Sequence, residues 1–448
     1  MDERSGPLPA TGRRALLVWA AAVAVYLLAV FHRTSLGVAG LQAADRFGIT
    51  AAELGTFTVL QIGVYAAMQV PTGLLVDRFG PRRVLTAAAL CMGLGQVLFA
   101  IAASYPLALV ARAVLGLGDA MTFVSVLRVV AAHYPPRKYA VLSSVTAALG
   151  QVGNLLATVP LTFLLANAGW TSTFAIAGAA TAAYSLVVLF RVRDTPDGEQ
   201  EPRAATSLRD VVGQVRAAWR VPGTRLGFWV HFSTMFSPGV LGLLWGFPYL
   251  VQAQGLSPAA AGSVLSLLVI VAMVTGPVIG QVMGRWPESR VPMVAGFLAA
   301  AMVVWAVLLG WPGGVVPAPV AAVAFAVLAV GGPLSGVAFA LARDYNPIHR
   351  VGTATGVVNV GGFTATTVTA FGIGLLIGGD TASAGPSTFR FAFLAVAVVL
   401  LLGSWRTLVW WRRARAAVFA AETRGDEVPV RIRRRPWDIP AEQEAAAS

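Results

Sequence analysis

Long apolar runs recur along almost the whole sequence, and they constrain the fold more than any other feature. A run of about 20 apolar residues matches one helix that crosses a hydrocarbon layer about 30 Å thick. In lipid, a helix satisfies its backbone N–H and C=O groups within a single segment. Twelve transmembrane helices are predicted, at 15–40, 53–76, 84–103, 106–131, 140–165, 171–191, 226–251, 259–284, 291–311, 317–342, 353–377 and 388–411. The predicted fold class is therefore an all-α membrane protein.

The composition excludes a soluble globular protein. Of the 448 residues, 57% are hydrophobic and 12% are charged, whereas a soluble domain carries about 25% charged residues. The formal net charge is +13, which in a soluble protein would suggest nucleic-acid binding. Most basic residues lie in short connectors between apolar runs, so the charge indicates membrane topology instead. We expect the lipid bilayer, and no nucleic acid, as a partner.

Cysteine and histidine are too few and too scattered for a metal centre. Cys91 is the only cysteine, so no intramolecular disulfide can form. His32, His133, His231 and His349 lack the spacing of metal ligands. No nucleophile–base pair stands out either. The sequence therefore predicts no metal, no cofactor and no enzymatic activity.

The distribution of basic residues predicts how the chain crosses the membrane. The first apolar run extends from Ala15 to Gly40 without a small-residue cleavage site, so we expect a retained helix rather than a signal peptide. With a cytoplasmic N-terminus, the cytoplasmic side holds 29 of the 33 basic residues, and the opposite connectors hold only Arg46 and Arg390. This asymmetry predicts a multi-pass protein of the cell (inner) membrane with both termini cytoplasmic.

The connector at 192–225 is long and polar, and it divides the chain into six-helix halves at 15–191 and 226–411. Part of this connector, from Ser207 to Trp219, is compatible with a helix. The tails at 1–14 and 412–448 are predicted to be cytoplasmic, and the second is predicted to be disordered.

The two halves resemble each other in sequence. Gly73-Leu-Leu-Val-Asp77-Arg78 follows helix two, and a similar segment from Gly280 to Arg285 follows helix eight, 207 residues later. Two parallel six-helix repeats with pseudo-symmetry are typical of transporters, whose sites lie between the halves near the bilayer midplane.

The segment GLLVDRFGPRR, residues 73–83, is similar to the motif between helices two and three of the major facilitator superfamily. That motif reads Gly-x-x-x-Asp-Arg-x-Gly-x-Arg-Arg/Lys, and the matching residues are Gly73, Asp77, Arg78, Gly80, Arg82 and Arg83. In helix four, Arg112 followed by Gly116 and Gly118 is similar to the second motif of the family. With the helix count and the half-length repeat, the resemblance covers nearly the whole chain. It implies the fold of that superfamily and a secondary transporter.

The first motif also has a physical rationale as a gate. Gly73 allows close helix packing, and Asp77 can face the positive N-terminal end of a neighbouring helix in one conformation. Arg78, Arg82 and Arg83 can form cytoplasmic ion pairs that break on opening. The alternative interpretation is an ordinary positively charged cytoplasmic loop.

A narrower resemblance points to the organic anion:proton symporter branch of the superfamily. That branch typically has Asp-Arg in helix one and Glu-Ala in helix four. Here His32-Arg33 occupies the first position and Asp119-Ala120 the second. The resemblance implies a proton-coupled importer of an organic anion, with protons as the coupling ion and alternating access as the mechanism.

Three charged residues are predicted inside helices, where a charge costs about 2.5–3.5 kcal/mol. Arg33 is the candidate anchor for a substrate anion, because a guanidinium can bind a carboxylate or phosphate through two hydrogen bonds. The alternative is a structural contact with Asp119 or with a backbone carbonyl. Asp119 is the candidate proton-coupling acid, with Arg112 two helical turns before it on the same face; a permanent Arg112–Asp119 pair is the alternative. His32 could share the proton or be a neutral packing residue.

Polar residues on other helices are predicted to contact the substrate, although each could equally join helices by a hydrogen bond. They are Gln61 and Tyr65 of helix two, Gln151 and Asn154 of helix five, His231 of helix seven and Asn359 of helix eleven. The second half has no mid-helix charge, so we expect charge chemistry in the first half and shape selection in the second. Kinks are possible at Ser237-Pro238-Gly239, Gly331-Gly332-Pro333 and Gly361-Gly362.

Three other functions remain open at this stage. A drug or metabolite exporter that exchanges protons usually has Gly-Pro-x-x-Gly-Gly in helix five, and this sequence lacks it. Gly153-Asn154 and Asn359-Val-Gly-Gly362 are distantly similar to segments of nitrate/nitrite porters. A transporter-shaped solute receptor is a third alternative. We expect a monomer.

Overall fold

The computed structural model describes residues 10–49, 51–196, 208–378 and 384–425, together with 432 and 434. These residues are almost entirely helical, with no strand among them. The helices are α1 Ala10–Phe47, α2 Ala51–Ile101, α3 Tyr105–Ala120, α4 Thr122–His133, α5 Pro136–Arg191, α6 Leu208–Arg220, α7 Pro222–Val240, α8 Gly246–Pro248, α9 Pro258–Arg285, α10 Arg290–Gly310, α11 Ala318–Ala329, α12 Gly331–Leu334, α13 Gly336–Tyr345, α14 Val351–Ile377, α15 Pro386–Ala392 and α16 Leu394–Arg424. Short 3₁₀ turns lie at Pro287–Ser289, Pro312–Gly314 and Ile348–Arg350.

Eleven stretches of the described residues are long and apolar enough to cross a membrane. The longest is Val59–Ile101, with 43 residues. It contains a backbone break at Gly80, where φ is 80° and ψ is 155°. A helix cannot continue through that conformation, so this stretch makes two crossings. The predicted all-α membrane fold is confirmed.

Helices in the structure extend beyond the apolar runs. Runs 140–165 and 171–191 both lie in α5, which breaks only at Gly169. The last helix continues past residue 411 to Arg424, because polar side chains are as compatible with a helix as apolar ones once the chain leaves the lipid. The remainder of the tail predicted to be disordered lies outside the described residues, apart from 432 and 434.

The chain divides into two compact units. The first consists of Met1–Val215 together with Ile348–Gly356, and the second of Arg216–Pro347 and Val357–Ser448. The first unit therefore includes a segment from late in the sequence. The predicted division into halves at 15–191 and 226–411 stays a prediction.

Aromatic side chains pack where the ends of α1 and α2 meet α5 in the first unit. Phe99 contacts Trp170 and Phe174, with ring centroids 5.1 and 5.6 Å apart. The guanidinium of Arg46 lies 5.6 Å from the Trp170 ring and donates hydrogen bonds to the carbonyls of Ala100 and Ala102. These contacts fix the end of α1 against the end of α2.

Two of the three predicted kink sites in the second unit are irregular. Beyond Pro238, α7 passes into π-helical turns at Leu241–Trp245 and Tyr249–Ala253. The tenth predicted helix, 317–342, corresponds to α11, α12 and α13. It is interrupted at Val330 and Ser335, on either side of Gly331-Gly332-Pro333. In contrast, α14 is continuous through Gly361 and Gly362. A Cβ atom at Gly362 would lie 2.8 Å from the His231 ring, so at that position glycine permits close packing.

Candidate functional site

An ion pair between α1 and α3 forms the centre of a polar network in the first unit. Arg33 donates two hydrogen bonds to the Asp119 carboxylate, from Nε over 2.9 Å and from Nη2 over 2.6 Å. The Asp119 side chain is 1% exposed, whereas 36% of the Arg33 side chain is exposed. This two-point geometry is the strongest arrangement of a guanidinium with a carboxylate. The ion pair considered from the sequence as an alternative is thus present, and part of Arg33 stays accessible.

Gln61 of α2 connects this ion pair to the second arginine. Its Nε2 donates to Asp119 Oδ2 over 3.3 Å, and its Oε1 accepts a hydrogen bond from Arg112 Nη2. Arg112 also donates to the carbonyl of His32 over 3.4 Å. Arg112 therefore reaches Asp119 through the Gln61 amide, and the direct Arg112–Asp119 pair considered from the sequence does not form.

The His32 ring faces α5 rather than the ion pair. Its Nε2 lies 2.8 Å from Thr181 Oγ1, and that hydroxyl donates its own hydrogen to the Ala177 carbonyl. Thr181 must therefore accept, so His32 carries its hydrogen on Nε2. The Nδ1 atom is buried and has no hydrogen-bond partner. This geometry fits the neutral packing interpretation of His32.

Tyr65 adds to this network, and two other residues predicted to contact the substrate pair beside it. The Tyr65 ring lies 5.0 Å from the Arg33 guanidinium carbon, within the range of a cation–π contact. Thr34 donates to Asn154 Oδ1, and Asn154 Nδ2 donates to Gln151 Oε1 over 2.6 Å. Arg33, Tyr65, Gln61, Asp119 and Arg112 are thus in contact with one another, whereas Gln151 and Asn154 form a separate chain of hydrogen bonds with Thr34.

The network carries more positive than negative charge. It contains two guanidinium groups, those of Arg33 and Arg112, and one carboxylate, that of Asp119. Arg112 is 1% exposed and its guanidinium lies over the Phe99 ring at 5.5 Å. Among the described residues, no second carboxylate hydrogen-bonds to either arginine. An excess buried positive charge attracts anions.

The predicted site residues of the second unit form a neutral pair. His231 Nε2 lies 2.9 Å from Asn359 Oδ1, so the imidazole donates to the amide. The His231 ring packs against Phe339, with centroids 4.9 Å apart. Both His231 and Asn359 are almost fully buried. The contact joins α7 to α14 without a charged group.

The carboxylate of Asp77, in the first motif, lies at the N-terminal end of α14. It accepts hydrogen bonds from the backbone N–H groups of Gly352 and Thr353, over 2.9 and 2.6 Å, and from the Thr353 hydroxyl over 2.6 Å. Arg128 Nε lies 3.7 Å from the same carboxylate. Unpaired N–H groups and the helix dipole make a helix N-terminus favourable for an anion.

Gly80 and Arg82 pack against an acid that sequence analysis did not single out. Asp194 accepts the backbone N–H of Arg82 over 2.8 Å, and a Cβ atom at Gly80 would lie 2.5 Å from its carboxylate carbon. The Arg82 guanidinium donates to the Leu189 carbonyl. Asp194 is among the first polar residues after α5, the helix that contains the sixth predicted run. This position next to a helix end was the only sequence feature that could have pointed to it.

The predicted ion pairs of Arg78, Arg82 and Arg83 are absent among the described residues. The Arg78 guanidinium lies 4.9 Å from the Phe79 ring, and Arg83 is exposed. Water solvates exposed guanidinium groups well, so an ion pair there gains little.

Comparisons with known proteins identify a family and several relatives. The model of the Major Facilitator Superfamily matches residues 22–368 and 248–441. The probable sulfoacetate transporter SauU of Cupriavidus necator is 29% identical over 173 residues, which are 39% of this chain and only 40% of SauU. The probable galactarate/D-glucarate transporter GarP of Escherichia coli is 24% identical over 383 residues, 77% of this chain and 84% of GarP. The probable nitrate/nitrite transporter NarK2 of Mycobacterium tuberculosis is 27% identical over 319 residues, 70% of this chain and 77% of NarK2.

Solved structures share the fold. The proton:xylose symporter XylE, bound to 6-bromo-6-deoxy-D-glucose, aligns with a TM-score of 0.67 at 16% identity. The alignment covers 90% of this chain and 96% of XylE. At this identity the likeness concerns the fold alone.

Proposed function

Because the chain belongs to the Major Facilitator Superfamily, we propose that it is a secondary transporter that imports a small organic anion together with protons by alternating access. The observation that carries the proposal is the two-point contact between the partly exposed Arg33 and the buried Asp119. Two relatives, SauU and GarP, are named for small organic anions. Their names support the substrate class without specifying the substrate.

The ion pair supplies a simple mode of coupling. A carboxylate or sulfonate of the substrate competes with Asp119 for the Nε and Nη2 donors of the Arg33 guanidinium. A proton on Asp119 removes its negative charge and weakens its hold on Arg33, so the guanidinium becomes available to the substrate. Proton uptake and anion binding then favour each other, as linkage between two sites requires.

Gln61 and Arg112 keep Asp119 in place during this exchange. The Gln61 amide can remain hydrogen-bonded to a protonated carboxyl group, because a carboxylic acid retains acceptor capacity. Arg112 stays bound to the other end of the same amide. It therefore supplies a fixed positive charge while Arg33 changes partner.

Transport into proteoliposomes tests the proposal. We would measure uptake of sulfoacetate, D-glucarate, tartrate, nitrate and a neutral sugar, with and without an inward proton gradient. The variants are Arg33→Lys and Asp119→Asn, and the matched control is Arg46→Lys, on the same helix but outside the network. Thermal unfolding of each purified variant would establish that it is folded.

We expect the wild type to accumulate one organic anion, and to do so only with the gradient. Replacing the planar guanidinium with a compact ammonium should lower uptake at least about tenfold, whereas Arg46→Lys should leave it near the wild-type rate. Asp119→Asn should still exchange labelled for unlabelled anion but should no longer accumulate it. Gradient-driven accumulation that survives in Asp119→Asn would remove that residue from the coupling mechanism.

Nitrate/nitrite transport is the second candidate, favoured by the similarity to NarK2 over 70% of the chain. Nitrate is also a planar anion that a guanidinium binds through two hydrogen bonds. Uptake of nitrate with no organic anion would establish this function. Transport of neutral or cationic solutes outward would instead indicate an exporter, and binding without flux a solute receptor.

A further inference from the structure

Arginines and tryptophans lie together along the middle of α16 and against α7 in the second unit. The Arg406 guanidinium carbon lies 5.0 Å from the Trp229 ring and 5.6 Å from the Trp405 ring. About two turns further along α16, the Arg413 guanidinium carbon lies 4.8 Å from the Trp410 ring. We call Trp229, Trp405, Arg406, Trp410, Arg412 and Arg413 the arginine–tryptophan surface. Tryptophan side chains are enriched where membrane meets water.

Within the described part of the chain, the positive charge of this surface has no acidic partner. Among the described residues, Arg406, Arg412 and Arg413 form no ion pair, and Arg412 and Arg413 are exposed. The Nε atom of Arg406 and the Nε1 atoms of Trp229 and Trp410 are buried without a hydrogen-bond partner. Ring faces stabilise a guanidinium only partly. The exposed guanidinium groups of Arg412 and Arg413 therefore offer a site for an anion.

A stripe of exposed apolar residues on α16 ends next to Arg412. Val398, Leu401, Trp405 and Leu408 are 65, 59, 59 and 43% exposed. They recur every three to four residues, which places them on one face of the helix. Arg412 follows Leu408 by four residues and continues the same face, about 6 Å further along the axis. An apolar face of this kind on a membrane-spanning helix contacts acyl chains.

We propose that the arginine–tryptophan surface binds the headgroup of an anionic phospholipid. The phosphate lies at Arg412 and Arg413, near Arg406, and an acyl chain runs along the stripe from Leu408 towards Val398. Arginine suits this role because its planar donors bind phosphate through two hydrogen bonds. A free phosphate would satisfy the charge but would leave the apolar stripe unused. The continuity of stripe and charge therefore favours a lipid, and basic pockets between membrane helices commonly hold such headgroups.

Lipid binding to the purified full-length protein tests the proposal. Native mass spectrometry would count bound phosphatidylglycerol and phosphatidylcholine, and thermal unfolding would be followed in the same mixed micelles. The variant is Arg412→Gln with Arg413→Gln, two exposed side chains whose loss should leave the fold intact. The matched control is Arg137→Gln with Lys138→Gln, which removes two exposed positive charges at the start of α5. A further arm replaces the lipid with inorganic phosphate.

We expect the wild type to bind phosphatidylglycerol in preference to phosphatidylcholine. Each arginine removed should weaken that preference about fivefold, and the control should keep it. An equal loss in the control would reduce the effect to general charge and overturn the proposal. Stabilisation of the wild type by inorganic phosphate alone, to the level given by phosphatidylglycerol, would overturn it as well, as would a variant that retains the full preference.

Discussion

At the scale of single residues, one amide holds the buried charges together. Gln61 has a donor and an acceptor at the same end of its side chain, so it can bind an acid and a base simultaneously. It uses the donor for Asp119 and the acceptor for Arg112. Neither a carboxylate nor an ammonium at this position could serve both partners.

Replacing Gln61 with leucine should lower stability. Leucine fills the space but leaves the buried Arg112 guanidinium without its side-chain acceptor, and a hydrogen bond to a charged group contributes about 1.5–3 kcal/mol. We expect a clear fall in the unfolding temperature of the detergent-solubilised protein. Gln42→Leu, on an exposed face of α1, should change it little. Equal unfolding temperatures for Gln61→Leu and the wild type would show that Arg112 is satisfied by other groups.

Gly80 provides a second test at this scale. Its backbone conformation is accessible to glycine almost alone, and another residue there costs about 1–3 kcal/mol. The Asp194 carboxylate also occupies the space that a Cβ atom would need. Gly80→Ala should therefore unfold at a lower temperature than the wild type.

Gly63→Ala serves as the control for this substitution, because Gly63 lies in the same α2 with open space around it. A helical glycine replaced by alanine gains roughly 0.5–1 kcal/mol. If Gly80→Ala were as stable as Gly63→Ala, the backbone at residue 80 would adopt another conformation without loss of stability, and the prediction would be wrong.

The sequence predicted which residues belong to the charged network but not how they pair. Arg33, Arg112 and Asp119 stood out because charges are rare inside membrane helices. Their partners depend on how α1, α2 and α3 are rotated about their axes, which apolar runs hardly constrain. The same limit explains why Gln61 was assigned to the substrate, and why Thr181 was not assigned at all.

At the scale of elements, close approach at glycine joins the segment Ile348–Gly356 to α2. A Cβ atom at Gly73 would lie 2.9 Å from Thr353 Cα, and one at Gly352 would lie 2.8 Å from the Gly73 carbonyl oxygen. The Asp77 carboxylate then caps the first turn of α14. Packing and charge together hold this segment in the first unit.

Asp77→Asn should loosen the segment. An amide oxygen accepts these hydrogen bonds more weakly than a carboxylate, and a loss of about 1.5–3 kcal/mol would raise the opened population on the order of tenfold or more. Because Cys91 is the only cysteine, a Cys91→Ser protein carrying Ala354→Cys reports opening as labelling by a maleimide. Ala354 is 0% exposed, so labelling requires movement.

Asp194→Asn is the control for this measurement. It removes a carboxylate from the same motif region but from a group that contacts Arg82 rather than the segment. We expect its labelling rate to match that of the parent protein. Equal labelling in the Asp77→Asn and Asp194→Asn proteins would show that the cap does not hold the segment.

Helix boundaries were less accessible to prediction than helix number. Apolar runs record where lipid surrounds the chain, so the runs at 53–76 and 84–103 were separated at a stretch of charged residues. In the structure, α2 is helical on both sides of a single glycine. The extension of α16 to Arg424 has the same origin. By contrast, the spacing and length of the runs were sufficient to predict the fold class.

At the scale of the whole molecule, the distribution of basic residues predicts orientation. Fusion of a fluorescent protein after residue 448 should give a fluorescent product, and fusion of alkaline phosphatase at the same place should be inactive, because only a cytoplasmic C-terminus allows that combination. Truncated fusions after Gly48, which follows α1, should give the opposite result. Active phosphatase at residue 448 would contradict the predicted topology.

The network of Arg33, Asp119 and Arg112 lies in the first unit, and this location has an evolutionary consequence. Arg33, Arg112 and Asp119 lie on α1 and α3, whereas His231 and Asn359 form a neutral pair on α7 and α14. On the proposed function, mutations near the neutral pair can alter which solute is accepted while the energy source stays the same. Related proteins can therefore diverge in substrate through substitutions in the second half of the gene. The residues for proton coupling, encoded in the first half, are then inherited unchanged.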